Sequence, residues 1–173
     1  MANPRAIHRI SYGLYVVSSV SAGKLNGQIA NTVFQVTSEP AKLAVCINKQ
    51  NLTHQYISES GAFSVSILSQ DAPMTFVGKF GFKSGRDTDK FKDTGYKMLG
   101  NGCPAVMDHS AAIISAKVVS QCDTGTHTLF IGEVTGEEIL SDAIPMTYAY
   151  YHEHLKGKEP KNAPTYRGPE AQK

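Results

Sequence analysis

The 173-residue chain lacks a long apolar run. Its longest is the pentad Leu43 to Ile47, and a helical bilayer span needs about 20 such residues, so no transmembrane segment is expected. A secretory leader is not expected either. Arg5 and Arg9 precede only Leu14-Tyr15-Val16-Val17, after which serines dilute the stretch before it reaches the length of a signal core. Charge is scarce and balanced: 17 Lys+Arg against 15 Asp+Glu give a net +2, with no basic run longer than two residues. A polyphosphate backbone finds no broad field there, which excludes nucleic acid as the expected partner. The three cysteines, Cys46, Cys103 and Cys122, are odd in number, widely spaced and without a CxxC, so neither a disulfide framework nor a zinc ribbon is expected. A reducing, cytoplasmic setting fits such thiols. GxSxG, HExxH, GxGxxG and Walker sequences are all missing, which removes support for serine hydrolases, zincins and nucleotide triphosphatases. Of the six histidines only His152 and His154 lie close together, and without a further acidic or thiol ligand nearby they predict no metal.

What is present is a globular composition, 41% hydrophobic, in a length suited to one domain. Asn3-Pro4 predicts a capped helix of about two turns ending at Gly13. Leu14 to Val20 and Ile29 to Val36 read as strands of a hairpin, with Asn26-Gly27 as the strongest turn signal between them. Lys42 to Asn48 is a strand apolar enough to be covered on both faces, and Thr53 is placed to cap a helix that Gly61 stops. Phe63-Ser64-Val65-Ser66-Ile67 alternates like a strand with one polar face, Asp71 to Phe80 reads as helix, and Gly81 to Asp89 as loop. Asp89 to Asp93 reads as one further turn and Pro104 to Met107 as a short extended piece. The longest hairpin pairs Ser110–Cys122 with Thr126–Leu140 around Asp123-Thr124-Gly125, with bulge positions at Gly132 and Gly136.

Beyond Leu155 the chain is polar and carries Pro160 and Pro164, so residues 156–173 are expected to form an arm, linker remnant or tail beside a domain of residues 1–155. At least six strands without βαβ alternation predict a mainly β fold: an antiparallel, Greek-key-like split β-barrel with short helical insertions.

Two polar clusters could bear chemistry. Asn26 to Thr32 offers amides and hydroxyls beside exposed backbone. Asn48-Lys49-Gln50-Asn51-Leu52-Thr53 joins the buried strand to a helix start, where free amides, a lysine and a hydroxyl suit one small phosphate group. From spacing alone, that second cluster reads first as a capped turn.

Asn26-Gly27 through Asn31-Thr32, Ser38-Glu39-Pro40, and Leu43-Ala44-Val45-Cys46-Ile47 followed by Asn48-Lys49 and Thr53 resemble the flavin reductase-like family, whose split barrel binds FMN. The likeness continues through Phe82-Lys83-Ser84-Gly85, Asp89-Lys90-Phe91 and the late strand Gly125-Thr126-His127 to Val134. The ending from Tyr150-Tyr151 to Tyr166 is similar to the subgroup of flavoredoxins, ferric reductases and rubredoxin-fused reductases.

The resemblance implies that Asn26, Gln28, Ala30, Asn31 and Thr32 line the isoalloxazine and ribityl groups, and that Asn48, Lys49 and Thr53 hold the 5′-phosphate. Cys46 would lie near the ring, or be an ordinary buried cysteine. Ser84 and Lys90 would close the other side, although Lys90 also reads as a solvated charge. Tyr166 would reach the flavin of a partner subunit, or belong to a tail. His127 is the implied catalytic residue, near the nicotinamide pocket. Thr126 stands where the family commonly has Asp, and Ser66 where Asn is common, departures that bear on donor preference.

The implied function is an FMN-dependent oxidoreductase. It would pass electrons from NAD(P)H, or from a protein donor, to flavin, ferric complexes or a redox protein such as rubredoxin or a flavodiiron protein. The flavin would carry the electron chemistry. The family is dimeric, so a homodimer with sites at the subunit boundary is expected. Two alternatives remain: a flavoredoxin-type carrier without NAD(P)H turnover, and a non-enzymatic split barrel holding a ligand such as haem.

Overall fold

The computed structural model describes residues 6–166. Asn3-Pro4, the expected helix start, lies outside them, and the first element described is a single 3₁₀ turn, Ala6–Arg9. Gly13 ends no helix; it forms a bridge with Thr147.

Strands β1 (Tyr15–Ser21), β2 (Lys24–Ala30), β3 (Val33–Ser38), β4 (Ala41–Asn48), β5 (Ala62–Leu68), β8 (Ser110–Asp123) and β9 (His127–Ile139) form one antiparallel sheet in the order β2-β1-β5-β8-β9-β4-β3. The two edge strands, β2 and β3, are consecutive in the chain, and only Asn31-Thr32 separates them. So short a link requires the sheet to curl until its edges approach. The edges meet through this covalent link rather than through a ladder, which gives the expected split barrel. A small pair, β6 (Tyr96–Met98) and β7 (Pro104–Val106), packs alongside, and β6 carried no strand signal in the sequence.

The first hairpin turns elsewhere than expected. Ser21 pairs with Lys24, so Ala22-Gly23 is the two-residue loop, with φ of 47° and 75°. Positive φ at both positions is the turn geometry that matches strand twist, and the glycine makes it accessible. Asn26-Gly27 therefore sits inside β2, opposite Ser19 and Ser18. That displacement puts Asn26, Gln28 and Ala30 on one strand face.

Helix α1 (Leu52–Ser60) has Asn51 rather than Thr53 at its N-cap position, without a side-chain capping hydrogen bond, and Gly61 ends it in the left-handed region as expected. Ser64 and Ser66 do not face water. Both are buried, Ser64 Oγ donating to the Pro104 carbonyl and Ser66 Oγ accepting from Val106 N at 2.9 Å, because β7 covers that side of β5. The β8/β9 hairpin has its register shifts beside the two expected glycines, at Ser115/Ala116 and Val118/Ser120.

Two cores result. Val17, Val45, Ile47, Phe63 and Phe130 fill the barrel, with Ile57 of α1 plugging it. Val16, Leu68, Phe80 and Phe91 pack outside it with Val77 of α2 (Met74–Gly81) and with Tyr148 and Tyr151 of α3 (Tyr148–Glu153), a helix without a clear signal in the sequence. Val16 and Val17 are neighbours on β1, so each faces a different core.

Candidate functional site

A cavity of about 490 Å³ opens where edge strand β2, the end of β4, the start of α1, the loop after α2 and residues 158–164 converge. Its size is that of a small-molecule site. Asn26, Gln28 and Ala30 reach it from β2, with Asn31 just beyond, and Cys46 and Asn48 from β4; the period of two puts each set on one face.

Asn26 is buried, and its Nδ2 donates to Thr53 Oγ1 at 2.8 Å. The Thr53 hydroxyl therefore orients a wall residue instead of capping α1. Asn26 Oδ1 and Gln28 Oε1 are buried acceptors with no hydrogen-bond partner. Such oxygens are costly unless a donor reaches them, so the wall calls for a ligand bearing N–H or O–H groups. At Gly85 a side chain would run into Asn26 Oδ1, so the bare glycine keeps this acceptor accessible.

Lys90 is buried, not solvated. Its Nζ donates to the Gly27 carbonyl at 2.9 Å and the Phe80 carbonyl at 3.1 Å, tying the free edge of β2 to α2, and burial lowers its pKa to about 8. Because peptide groups alternate along an antiparallel strand, Ile29 turns its N–H and C=O to the same open side as Gly27. Burial raises the Cys46 thiol pKa, keeping it protonated and unreactive.

Ser84 also lines the cavity, through a turn in which its Oγ accepts from Arg86 N. Arg86 donates to the Gln50 carbonyl at 3.2 Å, and Gln50 N in turn donates to Asn48 Oδ1 at 2.9 Å. A guanidinium thus stands beside the start of α1, where the sequence had suggested Lys49. Lys49 instead pairs with Asp123 at 2.6 Å, away from the cavity. Thr32, whose hydroxyl donates to Asn31 Oδ1, lies on a separate apolar groove with Tyr12 and Phe34.

His127 is outside the lining but at its rim. Its Nδ1 is bonded to Thr126 Oγ1 at 2.8 Å and its Nε2 to the Asn162 carbonyl at 3.2 Å. The arm that holds Asn162 folds back across the cavity instead of trailing away. Tyr151 OH donates to the Lys158 carbonyl, Asn31 Nδ2 to Thr165 Oγ1, and Asn162 Nδ2 to Asn51 Oδ1. Tyr166 only closes a turn back to the Ala163 carbonyl and does not line the cavity.

The profile described as Flavin reductase like domain matches residues 7–159. The chain belongs to the flavin reductase-like family. It is 53% identical over 161 residues to the ferric-chelate reductase (NAD(P)H) of Archaeoglobus fulgidus, covering 93% of this chain and 95% of that one. It is 47% identical over 162 residues to the high molecular weight rubredoxin of Moorella thermoacetica, covering 94% of this chain and 71% of that one. Among solved structures, flavin reductase PheA2 in its native state superposes with a TM-score of 0.71 at 29% identity, covering 85% of this chain and 93% of that one. In this flavin reductase-like protein the sequence missed Arg86 and the arm residues Lys158, Lys161 and Asn162 among the cavity lining, and marked Gln50 only as part of the polar cluster Asn48 to Thr53. Arg86 had a signal, lying between Ser84 and Lys90 in the loop already singled out.

Proposed function

We propose that this protein is an FMN-dependent oxidoreductase that takes electrons from NAD(P)H and delivers them to ferric complexes, free flavin or a small redox protein. The observation that carries the reading is the β2 wall, where two buried, unpartnered acceptors face a cavity that also presents an arginine. FMN matches that donor set: it has a ring N–H, ribityl hydroxyls and a phosphate monoester. Asn26, Gln28, Ala30 and Asn31 would hold the ring and ribityl groups. Asn48, Thr53 and Arg86 would hold the phosphate at the α1 start, with Lys49 a longer-range charge. When bound, FMN supplies hydride acceptance and one- or two-electron delivery.

The chain's own part is placement and exclusion. Thr53 fixes Asn26, Lys90 fixes the β2 edge, and Ser84 with Gly85 closes the opposite side. His127, held at both nitrogens, orients the donor at the rim, and the arm keeps water out. Cys46 contributes an apolar, neutral wall. We assign residues 1–155 to the catalytic domain and 156–173 to the arm, whose described residues 158–164 cover the cavity, with Tyr166 directed to a partner subunit.

We place the protein in the cytoplasm as a homodimer. All three cysteines are free, no helix among the described residues is long and apolar enough to cross a membrane, and Phe34 and Val36 on edge strand β3 stand exposed. The similarity to ferric-chelate reductase and high molecular weight rubredoxin supports both kinds of acceptor. Purified protein titrated with FMN should quench flavin fluorescence at one FMN per chain, and its absorbance should bleach anaerobically with NADH or NADPH. Light scattering should give twice the 18.7 kDa chain mass. Failure to bind FMN overturns the function, a flavin that stays oxidised with both nucleotides leaves a carrier, and a monomeric mass overturns the dimer.

A further inference from the structure

The cavity gathers charge that the whole chain does not have. Lys83, Arg86, Lys90, Lys158 and Lys161 line it, and among the described residues no aspartate or glutamate does. Low-dielectric walls bearing one sign of charge focus a field that the near-neutral total conceals. The five cations are not equivalent. The Lys90 ammonium is bound to two main-chain carbonyls and Arg86 to the Gln50 carbonyl beside α1. Among the described residues the ammonium groups of Lys83, Lys158 and Lys161 have no hydrogen-bond or ion-pair partner, and of these three Lys158 and Lys161 come from a different element, the arm.

The backbone carrying these two lysines is nonetheless fixed. The Lys158 carbonyl accepts from Tyr151 OH at 3.0 Å. Glu159, between the lysines, is buried, with Oε1 3.4 Å from His152 Nε2. His127 and Asn51 hold Asn162, next to Lys161. A freely solvated tail would not bury a glutamate between two exposed lysines, since burying a carboxylate is costly without compensation. The arm is thus anchored through Glu159 and Asn162, while its ammonium groups remain available at the cavity.

We propose that Lys158 and Lys161 form an anion subsite on the arm that binds the phosphates of the nicotinamide dinucleotide donor. The inference rests on the reading of function given above. A hydride donor must come within about 3–3.5 Å of its acceptor. The nicotinamide therefore has to enter the cavity, and the pyrophosphate joined to it through ribose must leave across the rim. A ferric chelate, also an anion, needs no such contact, because electrons pass over longer distances than hydride. The rim lysines are accordingly assigned to the donor.

The test compares FMN-loaded wild type with Lys158→Ala/Lys161→Ala and with the charge-keeping Lys158→Arg/Lys161→Arg. NAD⁺ and NADP⁺ binding is measured calorimetrically between about 50 and 200 mM salt, and anaerobic bleaching by NADH and NADPH is followed in stopped flow. The alanine pair should weaken nucleotide binding by about tenfold or more and flatten its salt dependence. The arginine pair should restore both, while flavin content and the limiting bleaching rate stay close to wild type. Nucleotide affinities unchanged for both donors overturn the inference, as does an effect confined to the KM for ferric chelate or a loss of FMN that accounts for the change. A wild type that neither binds nor is bleached by either nucleotide overturns the proposed function with it. Bleaching in wild type with unaffected variants overturns the subsite alone.

Discussion

Lys90 places an ammonium where little water reaches it, and the two carbonyls it holds only partly replace that water. Burial brings its pKa from 10.5 down to about 8. At a pH below 8 both folded and unfolded chains carry the proton, and the folded state bears the full desolvation cost. Between 8 and 10.5 the unfolded chain binds more protons, so the stability contributed at this position rises with pH. Flavin-free wild type should therefore gain on Lys90→Met by about 1–3 kcal/mol as pH climbs through that window, measured as urea midpoints at about pH 7.5 and 9.5. A constant difference would show that the ammonium is hydrated in solution. The sequence marked Lys90 only through family resemblance, and its isolated charge equally suited a helix surface. Its burial depends on the Gly27 carbonyl, 63 positions away, lying at an open sheet edge. Cys46 and Asn48, by contrast, fall on a strand that the sequence did mark, whereas Asn26, Gln28 and Ala30 were named through the same resemblance and share a face only because the turn lies at Ala22-Gly23.

At the level of elements, strands β4, β5, β8 and β9 could be read almost directly, since their apolar content and the long hairpin are local signals. The first hairpin could not. Asn26-Gly27 has the stronger local turn preference, but turning there would shift the register and leave the apolar positions of β1 on different partners. The Ala22-Gly23 turn instead pairs Val17 with Gln28 and Tyr15 with Ala30. Gly132 carries a comparable lesson. The sequence suggested a bulge there, yet the unpaired residue is Val119 on the facing strand. The glycine also serves packing: a Cβ would lie 2.6 Å from Phe63 Cε1 and 2.9 Å from the Ala116 Cβ. Phe63 is fully buried between strands and has nowhere to retreat. Gly132→Ala should cost about 1–3 kcal/mol by overpacking, seen as a lower urea midpoint, whereas an unchanged midpoint would mean that the barrel core is looser than its geometry.

For the whole molecule, the curl of the sheet brings β2 and β3 together and leaves between the body and the arm a space that no single element encloses. The arm is bound at several separated points, at Tyr151, His127, Asn51 and Asn31. Ending the chain after Leu155 should leave the sheet intact by circular dichroism, because neither core uses residues beyond that point. It should weaken FMN retention by about tenfold, since one wall of the cavity is lost. Equal FMN affinity in the truncated chain would make the arm a donor-side feature only.

The sequence by itself determined the strands beyond the first hairpin and the small β6/β7 pair, the mainly β class, and the lack of zinc-ribbon and nucleophile motifs. These follow from periodicity and composition, which are local. Only the tertiary structure decided that Arg86, and not Lys49, stands beside the α1 start, that Lys90 is buried, and that a polar, proline-containing ending lies over the site. Those outcomes depend on contacts between residues far apart in the chain, where the competing partner, Asp123 for Lys49 or His152 for Glu159, is set by how the sheet closes rather than by any neighbouring residue.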